Sequence, residues 1–227
     1  MSYKYKLAAL ATAGALTIAG SAQALVTVTS VNGAPDPGAF AGQTMVIDFE
    51  SALFPVGVSA FGNGQINFNG SSSPGDYEAP AGDTTDYLSV PDTGTSGSAD
   101  IILGAWLPGQ VASFSFYWGS IDKYNTIELL DKGGLVYFSQ SGGTIPPSDG
   151  DTSDPFTNRR VNFTLTGSDR NLGGVRLTST NKAFEVDDFA FQSAVPEPAT
   201  WAMMIIGFGA VGTMLRGSRR RTALGLA

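Results

Sequence analysis

The sequence predicts an all-β fold, an antiparallel β-sandwich of jelly-roll type carried between two targeting ends. Three observations predict it. Short runs rich in Val, Ile, Phe, Tyr and Thr recur between residues 25 and 195. Clusters of Gly, Pro, Asp and Ser separate them. No segment of that region repeats its apolar residues at helical spacing. Strands are expected at 26–29, 44–49, 65–69, 87–90, 100–103, 112–118, 126–130, 135–139, 160–166, 175–178 and 184–191.

Residues 1–24 read as a secretory signal peptide. Lys4 and Lys6 precede an apolar run over 7–19, and Ala22-Gln23-Ala24 supplies a small-residue cleavage site. Residues 25–194 form the sandwich. In Ala112-Ser113-Phe114-Ser115-Phe116, the period of two puts Ala and both Phe on one face and the serines on the other. Val161, Phe163 and Leu165 alternate in the same way. Asp131-Lys132-Gly133-Gly134 marks a tight hairpin, because glycine supplies the positive φ such turns need. The stretches 70–85, 91–99 and 141–158 are too long for simple hairpins and are expected to be binding or mobile loops.

Residues 195–227 have three parts. Pro196-Glu197-Pro198-Ala199-Thr200-Trp201 is followed by an uncharged stretch over 199–215, then by Arg216, Arg219, Arg220 and Arg221. As a helix the 17 residues would span roughly 25 Å, a little short of a ~30 Å hydrocarbon core, and a transmembrane helix over 199–215 is expected. Trp201 and Arg216 suit the two interfaces, and the arginines belong in the cytoplasm. This order resembles the PEP-CTERM signal of Gram-negative bacteria, in its Pro-Glu-Pro-x-x-Trp-Ala variant. Similar ends carry the label of an ice-binding protein C-terminal domain. The resemblance implies an inner-membrane precursor, cleavage by an exosortase, and release to the cell surface or extracellular polysaccharide. The body over 116–129 and 183–189 is similar to exosortase-dependent surface proteins, which implies no defined activity.

Composition excludes several functions. The chain has no Cys and no His, which removes disulfides, Ser-His-Asp and Cys-His catalysis and the commonest zinc sites. Residues 25–195 carry seven Lys and Arg against nineteen Asp and Glu, a net −12. That opposes binding to nucleic acid or an anionic membrane surface.

The remaining candidates are carboxylates and aromatics. Asp48 and Glu50 flank Phe49 on an early strand, and Asp187 and Asp188 lie on the last. First and last strands of a jelly roll lie close, so the four could hold Ca²⁺ with hard oxygen ligands. The alternative leaves Asp48 and Glu50 facing solvent beside a buried Phe49. Trp118 and Tyr124, at a strand end and in a loop, could stack on sugar rings, and Trp106 and Tyr117 are weaker candidates. A carboxylate-based hydrolase is the least favoured function, because no pair stands out. The Gly207-to-Gly212 G-x-G-x-x-G lies in the apolar C-terminal stretch, outside any βαβ unit. Ice binding would need a regular Thr-x-Thr array, which is absent. The expected product is a non-catalytic surface or matrix protein, with a carbohydrate-binding module as the alternative.

Overall fold

The computed structural model describes residues 25–50, 54–107, 109–194 and 198–224. The signal peptide expected over 1–24 lies outside the described residues. The strands are β1 (Leu25–Asn32), β2 (Thr44–Ile47), β3 (Ser59–Gly62), β4 (Gln65–Asn67), β5 (Tyr87–Val90) and β6 (Gly97–Ile102). Then come β7 (Val111–Gly119), β8 (Asn125–Asp131), β9 (Val136–Ser141), β10 (Arg159–Thr166), β11 (Leu172–Ser179) and β12 (Phe184–Ser193). A single α-helix among the described residues, α1 (Pro198–Leu224), closes the chain. Each expected strand is present. β3 was not expected, because four residues between glycines are too few to show a period.

The strands form two antiparallel sheets in a sandwich-like arrangement. A seven-stranded sheet runs β1-β10-β7-β12-β5-β4, with β2 also paired to β12; the other runs β3-β6-β11-β8-β9. β12 is central. One edge pairs with β7, and the other pairs with β5 through Phe184–Val186 and with β2 through Phe189–Phe191. The β8–β9 hairpin forms as expected. Gly134 takes φ 82°, and the Asp131 carboxylate accepts from the amides of Gly133 and Leu135 at 2.8 and 2.9 Å.

The core lies between the sheets. Phe114, Phe116 and Trp118 of β7, Phe163 of β10, and Phe184, Phe189 and Phe191 of β12 point into it and are buried. They stack across the strands: Phe114 on Phe163 at 4.8 Å, Phe116 on Phe189 at 4.9 Å, Trp118 on Phe184 at 4.4 Å. Phe138 of β9 meets Phe163 edge-on from the opposite sheet at 6.3 Å. β12 keeps four inward aromatics and aliphatics only because it is bulged. Its register against β7 shifts between Asp187 and Ala190, with Asp188 at φ 55°. The extra residue lets Val186 and Phe189, three apart, face the same way.

The outer face of the seven-stranded sheet is shielded around β7 and β12, while Thr27, Thr29 and Thr164 at the β1 edge stay exposed. Long loops cover the shielded part with a polar layer. Ser115 and Tyr117 are buried there. The Ser115 hydroxyl donates to Gln43, and the Tyr117 hydroxyl donates to the carbonyls of Gly33 and Ala81. Arg160, fully buried, donates Nε to Ser115 and pairs with Asp36 at 2.7 Å. The loop over 70–85 belongs to this cover and packs on β12: the Glu78 amide donates to Glu185, and the Thr85 hydroxyl to Asp187. Covering a polar sheet face costs desolvation unless partners are supplied, and the loops supply them.

Candidate functional site

The aromatics expected to stack on ligand have different fates. Trp118 is buried between Phe116 and Phe184, so the expectation of a ligand-binding Trp118 is corrected to a core residue. The period that turns Phe114 and Phe116 inward also turns Trp118 inward. Trp106 is half-buried, edge-on to Phe191 at 6.2 Å. Tyr117 lies under the loop cover. Tyr124 is half-buried and lines a cleft of about 120 Å³.

That cleft is built from four parts of the chain, one of them the loop before β10, which brings Gly150 and Thr152. The turn after β7 brings Ser120, Asp122 and Tyr124; the loop before β5 brings Asp76, Tyr77 and Glu78; and the start of β12 brings Lys182 and Glu185. Glu185 sits opposite Gly119 of β7 and Ser89 of β5, on the covered face of the sheet. It is 3% exposed. Its carboxyl accepts from the Glu78 amide at 3.2 Å and the Ser120 hydroxyl at 3.3 Å. Burial pushes its pKa up to about 8, against these hydrogen bonds. Ser120 presents its hydroxyl from a left-handed backbone, φ 37°, a strained state for a non-glycine residue.

Asp122 is also raised, first by burial and then by Asp149, while Tyr124 opposes the rise. The Tyr124 hydroxyl donates to the Lys182 carbonyl at 2.8 Å. Gly150, at φ 70°, passes directly against the Asp122 carboxylate, where a Cβ would collide with it. The Lys182 ammonium pairs with Asp76, whose pKa it lowers. The two body stretches that resemble exosortase-dependent proteins, 116–129 and 183–189, both reach this cleft. Among its acidic residues none was anticipated. The available signal was Glu185 itself, a carboxyl between Phe184 and Val186 in a strand otherwise fit for burial.

The four carboxylates expected to hold Ca²⁺ do not assemble. The strands do meet, since Ile47 pairs with Phe189. But Asp48 and Glu50 are exposed on either side of buried Phe49. Asp48 accepts from the Glu50 amide, and Glu50 from the Asp86 amide. Asp187 and Asp188 turn instead toward the loop cover. Burial, then the charges of Asp188 and Asp83, push Asp187 up to about 10. Burial, then Asp36, push Asp188 up to about 7, against the pull of Arg160. Among the described residues no group of three or more acidic side chains is arranged to hold a metal ion.

At the C-terminus, the Ala194 amide donates to the Gln110 carbonyl at 2.8 Å, tying the end of the sandwich to β7's entry. Pro196 and Glu197 lie outside the described residues. Pro198 opens α1, where its fixed φ and missing N–H suit the first helical position. Trp201 and Arg216 are exposed on that helix, and Arg219, Arg220 and Arg221 lie along its last turns. The expected transmembrane helix over 199–215 is corrected: no helix among the described residues is long and apolar enough to cross a membrane. The apolar stretch is short, is diluted by Gly207, Gly209, Gly212 and Thr213, and continues as helix into the arginines. Met203, Ile205, Ile206 and Phe208 are nonetheless exposed along it.

Comparison with known proteins identifies the C-terminal end. Residues 194–221 match the PEP-CTERM protein-sorting motif, so the chain carries an exosortase-directed sorting signal at its C-terminus. No curated protein matches the chain. Among solved structures it is similar to the family 11 carbohydrate-binding module of a cellulosomal cellulase of Clostridium thermocellum. Identity is 14%, TM-score 0.26, with 70% of this chain and 99% of that chain covered. It is similar also to the family 11 module from Clostridium thermocellum in complex with a β-1,3-1,4-mixed-linked tetrasaccharide. Identity is again 14%, TM-score 0.25, with 70% and 100% covered. At these values the likeness carries no argument about function.

Proposed function

We propose that this is an exported, exosortase-processed protein of the cell surface or extracellular matrix, with a non-catalytic sandwich. The observation that carries the proposal is the sorting motif over 194–221. The motif implies export and a membrane-held precursor, and it marks the chain as a substrate of a processing enzyme. The absence of His and Cys removes Ser-His-Asp and Cys-His hydrolysis from the body. Changing Pro196, Glu197 and Pro198 together to alanine should leave a full-length, membrane-retained precursor. Mass spectrometry of the wild-type C-terminus checks the same point. A mature protein still ending at Ala227 in cells that make an exosortase sinks the proposal.

The cleft favours a second reading, in which the body binds saccharide. Tyr77 and Tyr124 offer aromatic surface beside carboxyls that bond hydroxyls, the usual equipment for a sugar ring. A glycan array on the purified protein separates this reading from a purely structural one.

A further inference from the structure

We infer that the groove between edge strands β1 and β9 binds a hexuronate, a sugar whose carboxylate pairs with Arg159 and whose hydroxyls reach Thr29 and Gln140. The inference goes beyond the saccharide reading of the Tyr124 cleft and does not depend on it. β1 ends one side of the seven-stranded sheet, and β9 ends one side of the other. With the start of β10 they enclose a groove of about 350 Å³, lined by Thr29, Ser30, Gln140, Ile145, Pro146 and Arg159. None of the described residues that line it is acidic.

Arg159 is the uncompensated charge. It opens β10 and is half-buried. Its Nε donates to the Ser30 hydroxyl at 2.9 Å, and its Nη1 to the Phe156 carbonyl at 3.2 Å. These bonds fix the planar head and use two of its five N–H groups. Its Nη2 has no acceptor among the described residues and, unlike Nη2 of Arg160, is not sealed from solvent. Arg160, Arg176 and Lys182 all pair with carboxylates. Arg159 pairs with none among the described residues. Asp151 and Asp154, in the loop that leads to it, accept from the amides of Ser153 and Phe156 instead. A guanidinium left without a counter-ion in a strongly acidic body attracts an anion at close range. Carboxylates elsewhere on the surface oppose this little, because salt screens them beyond about 8 Å. An ordinary surface ion pair is weak because two free side chains must both be ordered. Here Ser30 and Phe156 have already ordered one of them.

The rest of the lining selects a sugar as the carrier of the charge. Thr29 Oγ1 accepts from the Asn162 amide and keeps its own proton to donate. Gln140 donates through Nε2 to the Ser141 carbonyl, which leaves its Oε1 as an acceptor. Ile145 and Pro146 supply an apolar wall. A hexuronate presents a carboxylate, hydroxyls and a C–H face on one small ring, so each group meets a partner. A bare phosphate or sulfate would engage Arg159 and leave Gln140 Oε1 and the apolar wall unused.

The test is isothermal titration of the full-length protein in detergent with glucuronate, glucose, acetate and inorganic phosphate. Glucuronate should bind at least about tenfold more tightly than each of the others, the usual weight of a hydrogen bond to a charged group. Arg159→Gln should lose that preference over glucose. Should Arg159→Gln fail to fold, wild-type protein decides: glucuronate, and not glucose, should protect Arg159 from modification by phenylglyoxal, read by peptide mass spectrometry. Glucose binding as tightly as glucuronate overturns the role of charge and with it the inference. Acetate or phosphate binding as tightly as glucuronate overturns the sugar. Glucuronate binding undiminished in Arg159→Gln, or Arg159 unprotected at saturating glucuronate, places the ligand elsewhere and overturns the inference. No binding of glucuronate overturns it too, and leaves the Tyr124 cleft to the glycan array.

Discussion

Trp118→Ala should destabilise the sandwich by about 3–5 kcal/mol, the usual cost of deleting a buried aromatic. Trp118 is fully buried, with its ring 4.4 Å from Phe184 and 5.8 Å from Phe116. Removing it opens a cavity between β7 and β12, the two strands at the middle of the larger sheet. Neighbours relax only partly around such a hole, so lost contacts add to lost burial. Trp118→Phe should cost far less, because the indole Nε1 has no hydrogen-bond partner to lose. Urea unfolding of both variants checks this. A loss below about 1 kcal/mol for Trp118→Ala would return Trp118 to the surface role that its place at a strand end suggested.

The contrast shows what local pattern can reveal. Period two on β7 placed Phe114 and Phe116 correctly, and extended by one step it also places Trp118. The turn glycines and Asp131 fixed the β8–β9 hairpin for the same local reasons. What the pattern could not show is what covers a face. Ser115 and Tyr117 point away from the core and would be solvent-facing on a bare sheet. They are buried because Gln43 and the Gly33 and Ala81 carbonyls are folded over them. That placement depends on loops distant in sequence. The Asp187–Asp188 pair failed differently. Strand proximity was right, but the bulge at Asp188 and the cover loops direct these side chains toward Asp36 and Asp83. The cleft needs four segments to meet, and only Tyr124 among its residues stood out beforehand. The C-terminal signal was legible in full as a sorting motif because it is linear. Its crossing of a membrane was not, because length and apolarity there sit at the margin.

Stability of the sandwich should fall as pH rises from 5 to 8, the reverse of the usual carboxylate behaviour. Glu185 titrates near 4.5 when unfolded and near 8 when folded, with burial as the main cause. The native state therefore holds a proton that the unfolded chain has given up. The contribution is fully present below pH 4.5, shrinks as pH rises, and is lost by about pH 8. At about 1.4 kcal/mol per unit, Glu185 alone should remove about 3 kcal/mol between pH 5 and 8. Asp187, buried and raised to about 10, acts in the same direction over the same window. Asp76 and Asp151, exposed and lowered, act oppositely and only in more acid solution. The maximum should thus lie in mildly acid solution. Glu185→Gln keeps an oxygen for the Glu78 amide and cannot ionise, so it should flatten the slope by about 3 kcal/mol and leave the variant more stable than wild type at pH 8. Thermal unfolding of both proteins across this range decides the matter. Wild-type stability that is level or rises from pH 5 to 8 would mean that Glu185 is ionised in the folded protein, compensated by a partner that the cleft does not otherwise contain.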